Sequence, residues 1–421
     1  MTEAILAAST RPRPVGHLVI SIGWRNLWRN RSRTWLTAGG IAFAISLVVF
    51  GMSFQHGVYE AIETNASTLL TGHVQIQRSD YIDDSRMEMT IADATSLMRT
   101  IEQQPHVLAV APRLETFALA SADERSFGVF LLGVDFEREQ RAVQFFDEIG
   151  LGRMPQTTDE AIIGTNLARN LSLEIGDEMI ILGSAKEGGV AALALTVVGI
   201  FESGIGDMDR NMVAAPIATV QNGFGFGDDV HTLIVRADEL EVSKALAKDL
   251  QRLLPAGQVA RSWNAVMPEI EQGLMVDKIG GQFMYWIIMI LVSLSIVNSF
   301  IMTVFERTRE FGMLMSIGMR PGKIIALVQV EAFCMWLIGA SIGVVLASAS
   351  VLTLAATGVS LGEGMEEYVG QMYLPSVLYP ALGVVPLLTA PVVLLVGTQL
   401  AALLPSLKIN RLKPVEALRL D

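Results

Sequence analysis

Four long stretches of the chain are almost wholly apolar: Trp35–Tyr59, Gln282–Val304, Ile324–Leu354 and Val377–Leu404. About 20 apolar residues at a rise of about 1.5 Å are needed to cross a ~30 Å hydrocarbon core, and each stretch is that long. One lies near the start and three crowd into the last third. Residues 60–281 between them read as a soluble domain. The pattern predicts a membrane α-helical protein with one span before, and three after, an exported domain. That layout ties a domain on one side of a membrane by two helices to events on the other side.

Within 60–281 the periodicity switches. His73–Gln77 alternates and predicts a strand, as do Val107–Leu119 and Phe127–Val134. Asp93–Gln104 carries Ala94, Leu97, Met98 and Ile101 at helical spacing and stops before Pro105. Near the far end, Thr232–Val235 and Gln258–Ser262 read as strands around an amphipathic helix over Glu239–Leu254. The middle is richer in strands and glycine, at Ala161–Ile163, Glu178–Leu182, Leu193–Phe201 and Asn211–Ala215. The expected fold is an α+β domain built from both ends, with a mostly β subdomain inserted at about 140–226. Helices over Glu60–Leu70 and Asn264–Ile279 would serve as stalks to the first and second spans.

Basic residues set an orientation. Arg11, Arg13, Arg25, Arg29, Arg31 and Arg33 precede the first span; Arg307, Arg309, Arg320 and Lys323 lie between the second and third; Lys408, Arg411, Lys413 and Arg419 follow the fourth. The loop between the third and fourth spans holds Glu363, Glu366 and Glu367 and no basic residue. The positive-inside rule then places both termini and 305–323 in the cytoplasm, and 60–281 and 355–376 outside. Leu18, Val19, Ile22, Leu27 and Trp28 make an apolar stripe over Val15–Trp28, which predicts a helix at the cytoplasmic interface with Trp24, Trp28 and Trp35 as headgroup anchors.

Composition narrows the function. The net charge of −12 leaves no basic footprint, so nucleic acid is not an expected partner. The single cysteine, Cys334, excludes an intramolecular disulfide and reads as apolar packing. There is no phosphate loop, no His-Glu-x-x-His and no nucleophile elbow at Ser203, and the five histidines do not cluster. Asp207, Asp209, Asp228 and Asp229 satisfy no cation-ligand spacing and read as solvated loop. No catalytic, cofactor or metal site is expected. The first run is too long, and lacks the small-residue pattern, for a cleavable signal peptide.

Residues 306–323 place charges in a first turn, then an apolar face of Phe311, Leu314, Met315 and Ile317, then Gly318 and Pro321-Gly322 as a stop. Two readings fit: an amphipathic linker resting on the membrane, or a short helix docking into a groove on another protein.

Arg25-Asn26-Leu27-Trp28-Arg29-Asn30 entering the first span resembles the start of FtsX/MacB-type ABC transporter permeases, the type VII ABC exporter superfamily. Glu306 through Leu314, followed by Ile317-Gly318-Met319, resembles their coupling helix, and Lys413-Pro414-Val415-Glu416-Ala417-Leu418-Arg419 resembles their C-terminal signature. Gly72-His73-Val74-Gln75-Ile76 and Val197 through Gly204 look most like the lipoprotein-releasing LolC/LolE branch. The resemblance covers the whole chain.

The resemblance implies a permease subunit that acts as a homodimer or with a sister subunit, in the bacterial inner membrane. It implies a separate cytoplasmic ATPase dimer that binds the ATP and magnesium, since no phosphate loop precedes the first span here. Closure of that ATPase would be transmitted through the stalks to a periplasmic MacB-like core domain, which is called mechanotransmission. Coupling is then expected at Glu306, Arg307, Arg309, Glu310, Phe311, Gly312, Leu314, Ile317 and Gly318. The expected division is an N-terminus with its interfacial helix at 1–34, spans at 35–59, 282–304, 324–354 and 377–404, and the periplasmic domain at 60–281. The coupling helix falls at 305–323, a periplasmic loop at 355–376 and a cytoplasmic tail at 405–421.

Within this frame an amphiphilic substrate, such as a lipoprotein, is expected against the first two spans. Phe43, Val49, Phe50, Met52 and Phe54 supply large apolar groups, and Phe283, Met284, Ile287, Met289 and Met302 adaptable ones. Membrane lipid is a further partner. The loop Gly183–Ala194, where the LolC-like branch recruits a periplasmic carrier, is rich in glycine and alanine and has no Pro/Arg-rich tip, so a carrier or adaptor stays open. The alternatives are MacB-like efflux of peptides or small molecules, and FtsX-like signalling to a periplasmic hydrolase.

Overall fold

The computed structural model describes residues 15–82, 84–146, 150–203, 205–360 and 377–411. The C-terminal signature at 413–419 and the acidic loop residues at 363–367 lie outside them. The chain divides into two compact units, one comprising Val58–Met275 with Val359–Leu378, the other the remainder.

The first unit is built on one mixed sheet of ten strands: β1 Val74–Arg78, β2 Val107–Ala122, β3 Arg125–Val134, β4 Leu151–Gly152, β5 Glu160–Gly164, β6 Glu178–Ser184, β7 Val190–Phe201, β8 Met212–Pro216, β9 Thr232–Ala237 and β10 Gln258–Ser262. The order is β10-β1-β9-β2-β3-β8-β5-β7-β4, with β6 pairing β2 and β7. β3 with β8 and β5 with β7 run parallel; the other pairs are antiparallel. β2 and β3 form a hairpin over the full length of β3, turning at Asp123, whose φ of 49° is a left-handed value that aspartate tolerates.

The strands from both ends of this unit, β1, β2, β9 and β10, bury Val74, Ile76, Val110, Leu233 and Val235 against helices Ala94–Glu102 and Ser243–Gln251. The middle strands bury Leu131, Ile163, Met179, Leu195 and Val213 in a second core. The expected inserted subdomain does not form a sheet of its own. β2 and β3 outrun the strands of the end-built part, and their surplus length accepts β6 and β8 as neighbours. One ladder therefore runs through both cores.

Among the described residues four helices are long and apolar enough to cross a membrane, Arg31–Thr68, Pro268–Glu306, Pro321–Thr357 and Val384–Ile409, and most of their length belongs to the second unit. The fourth begins after Pro380 and Gly383 rather than at Val377, because Val377–Leu378 are extended and proline disfavours helix in the residue before it. The first and third spans approach closely. A Cβ on Gly339 would lie 2.7 Å from the Ala38 carbonyl oxygen, and one on Gly343 2.6 Å from that of Ala42. These two glycines, one turn apart, let the backbones meet without side chains between them. Cys334 is buried in the same packing.

Candidate functional site

The segment between the second and third spans folds as a helix, Thr308–Ser316. Arg307 leaves helical geometry and breaks it from the second span. Gly318, at a φ of 97°, ends it, and Pro321 then starts the third span at a position where its missing N–H costs nothing.

The four apolar residues expected on one face separate. Phe311 is 0% exposed, and Leu314 and Met315 pack with it against the core of the spans. Ile317 points the other way at 84% exposure. With Arg309, Met313 and Ser316 it forms an exposed stripe at helical spacing. Gly312 is buried beside Phe311, and Gly318 is exposed.

A carboxylate that sequence reading did not single out anchors this helix. Glu331, in the third span, is 3% exposed. Arg307 Nη1 donates to both of its oxygens, at 2.9 and 2.7 Å, and Asn26 Nδ2 donates to Oε1 at 2.7 Å. Arg307 Nε also donates to Glu310 at 3.0 Å, and Arg29 reaches the other Glu310 oxygen. One turn away, Arg33 donates to Glu306 at 2.8 Å and to the Ser299 carbonyl at 2.6 Å. Burial would lower the Arg307 pKa, but the Glu331 charge and its hydrogen bonds with Glu331 and Glu310 leave it raised. Burial would raise that of Glu310, but Arg307 and Arg29 hold it low. Both groups therefore stay charged.

The two motifs at 25–30 and 306–319 are thus in contact. The interfacial helix Val15–Arg29 also packs on the third span, where Gly23 meets Val330 and Leu27 enters the core. The signal available in sequence was an acidic residue inside an apolar run, which is costly unless paired.

Of the residues expected to meet substrate, Phe43, Phe283, Met284 and Ile287 are exposed, while Phe50, Met52 and Phe54 are half-buried. Phe50 and Phe54 stack at 6.2 Å. Val49 and Met289 are buried among the spans, so they serve helix packing instead. The first and second spans meet beside this surface, where Gly51 faces the Tyr285 ring and Gln55 donates to Asp277 at 3.0 Å. Among the described residues, no group of three or more His, Cys, Asp or Glu could hold a metal ion.

The MacB-like periplasmic core domain family matches residues 34–253, and the FtsX-like permease C-terminal family matches 282–414. The chain is 23% identical to the lipoprotein-releasing system transmembrane protein LolC of Neisseria meningitidis over 324 residues, which are 74% of this chain and 75% of that one. It is 26% identical to the macrolide export ATP-binding/permease protein MacB of Vibrio parahaemolyticus over 340 residues, 76% of this chain and 49% of that one. It therefore spans about half the length of the MacB relatives it matches. The periplasmic region of MacB from Actinobacillus actinomycetemcomitans, a solved structure, aligns with a TM-score of 0.35 at 15% identity, over 47% of this chain and 92% of that one. Four apolar helices with a periplasmic-domain family describe a multi-pass inner-membrane protein, and the chain belongs to the FtsX/MacB-type ABC transporter permeases.

Proposed function

We propose that this permease couples ATP hydrolysis by a separate cytoplasmic ATPase dimer to the extraction or release of a lipoprotein, or a similar amphiphile, from the inner membrane. The carrying observation is the helix Thr308–Ser316: its Phe311 side is locked into the spans, and its Arg309–Met313–Ile317 stripe is left exposed. A rigid helix with one unpartnered mixed apolar and basic face is suited to dock in a groove of an ATPase. The basic flanks favour a cytoplasmic location for that helix and for both termini. The ATP and magnesium would reside on the ATPase, with no cofactor on this chain.

The first and second long helices, Arg31–Asn65 and Pro268–Glu306, exceed the ~20 residues needed to span the hydrocarbon, which supports their use as stalks. In this reading a second permease subunit completes a dimer, and Phe43, Phe50, Met52, Phe54, Phe283, Met284 and Ile287 face the acyl part of the substrate. MacB-like efflux is the second reading, supported by the 26% identity to a MacB beside the 23% to LolC.

Reconstitution in proteoliposomes with a partner ATPase that co-purifies with this chain tests both. ATP-dependent release of a fluorescent lipoprotein is the expected result. Working ATPase without release, but with ATP-driven removal of a small hydrophobic compound, would replace the first reading with the second. Glycine insertions in both stalks should abolish release and spare basal ATPase activity; release that survives them would remove mechanotransmission.

A further inference from the structure

The periplasmic domain carries an open cleft of about 420 Å³ that the permease reading does not use. Its floor is the middle of the β2–β3 hairpin, where Phe117 and Phe130 stand directly opposite each other, 5.5 Å apart and edge to face. Met208 and Met212 close one side. Phe117 is 72% exposed, an unusual state for an aromatic residue whose partner is packed against a core. At Gly128, which also lines the cleft, an added Cβ would meet nothing within 4 Å. Asp207 and Asn211 line the remaining edge, four residues apart on the helix Gly206–Asn211. Asp207 is exposed and makes no ion pair among the described residues.

We propose that this cleft binds a small cationic amphiphile: an aromatic or aliphatic body on the Phe117–Phe130–Met212 floor, with an ammonium group at Asp207. The volume falls in the range of small-molecule sites, which combine an apolar lining with few polar groups. Thioether side chains adapt to varied apolar shapes. The phenyl rings offer surface to the apolar body, and the Asp207 carboxylate at the edge favours positive charge. An anionic ligand would meet Asp207 unfavourably. The site lies wholly in the periplasmic domain, and it stands whether the transported substrate is a lipoprotein or not.

The test uses the full-length protein in lipid nanodiscs, with a photoreactive benzophenone bearing a trimethylammonium group and its uncharged counterpart. Labelled peptides are mapped by mass spectrometry. The expected result is saturable labelling of the peptides holding Phe117, Phe130 or Met208, displaced by excess benzyltrimethylammonium. Gly128→Leu should remove the saturable part by filling the floor. Asp207→Asn should weaken the cationic probe roughly two- to fivefold, as for a solvated ion pair, and leave the uncharged probe unchanged. Gly128→Val provides a smaller filling if Gly128→Leu melts early. Labelling that does not saturate, that survives both Gly128 variants, or that lysophospholipid displaces and the cation does not, would overturn the proposal. None of these readouts involves ATPase or transport activity.

Discussion

Arg307 Nη1 bridges the two carboxylate oxygens of Glu331, at 2.9 and 2.7 Å, across a helix break and a full turn of chain reversal. The pair joins the Thr308–Ser316 helix to the third span, and Asn26 brings the interfacial helix to the same carboxylate.

Removing that carboxylate should be expensive. Glu331→Ala leaves the half-buried Arg307 with Glu310 alone, and breaking one side of a buried pair costs up to about 3–5 kcal/mol. Glu331→Gln keeps a hydrogen-bond acceptor for Asn26 and should cost less. Thermal melting in nanodiscs ranks the two. If the helix is the ATPase contact, stimulation of the ATPase should fall in the same order. Equal stability of all three proteins would show that the pair does not anchor the helix.

The two sides of that helix should separate in experiment. Ile317→Asp alters an exposed side chain and should leave stability within about 0.5 kcal/mol, yet prevent co-purification with the ATPase. Phe311→Ala empties a buried site and should cost about 3–5 kcal/mol. Melting curves and affinity pull-downs on both variants check this. An Ile317→Asp protein that binds its ATPase normally would move the docking surface elsewhere.

The first and third spans should not accept a side chain at their crossing. Gly339→Val places atoms against the Ala38 carbonyl and the Ile41 side chain, and overpacking of this kind costs about 1–3 kcal/mol. Gly322→Ala, at a position with open space, is the control and should be nearly neutral. The difference in melting temperature between the two variants is the measurement.

The periplasmic domain should weaken in mild acid. His231 is buried between Tyr81 and Phe226, accepts the Glu115 N–H at Nδ1 (3.0 Å) and lies 3.1 Å from the Met87 carbonyl through Nε2. Burial pushes its pKa below the usual 6.5, against the raising effects of the Met87 carbonyl and of Glu115 and Asp229; Lys186 also lowers it. The unfolded chain therefore takes up the proton first. Stability is full above pH 6.5 and is lost as pH falls from there toward the folded value. His73, lowered chiefly by burial, acts in the same direction. His231→Gln should flatten the fall in melting temperature between about pH 7.5 and 5.5 without removing it. An unchanged slope would assign the acid sensitivity to other groups.

The spans were legible because length and hydropathy decide them locally. The strands at Val107, Phe127 and Gln258 were legible for the same reason, since alternation is a local property. What the sequence concealed depends on partners far along the chain. Glu331 looks like a blemish in an apolar run until Arg307 and Asn26, 24 and 305 residues away, close on it. Phe311 and Ile317 both look apolar in the sequence, but six residues set them about 120° apart around a helix, and only Phe311 meets the spans. The middle of the periplasmic domain read as a separate insert because nothing in β2 announces that its second half will pair with β6. The cleft at Gly128 escaped notice because an open floor is written as the absence of a side chain.

The triad of Asn26, Arg307 and Glu331 also constrains how this protein can vary. A lone change leaves the buried Glu331 carboxylate, or a group that meets it, without its partner, so the members are exchanged at least cost together. Lineages that lost the acid would be expected to have exchanged the guanidinium as well. Across descendants, these three distant positions should change as a set, like letters of one word.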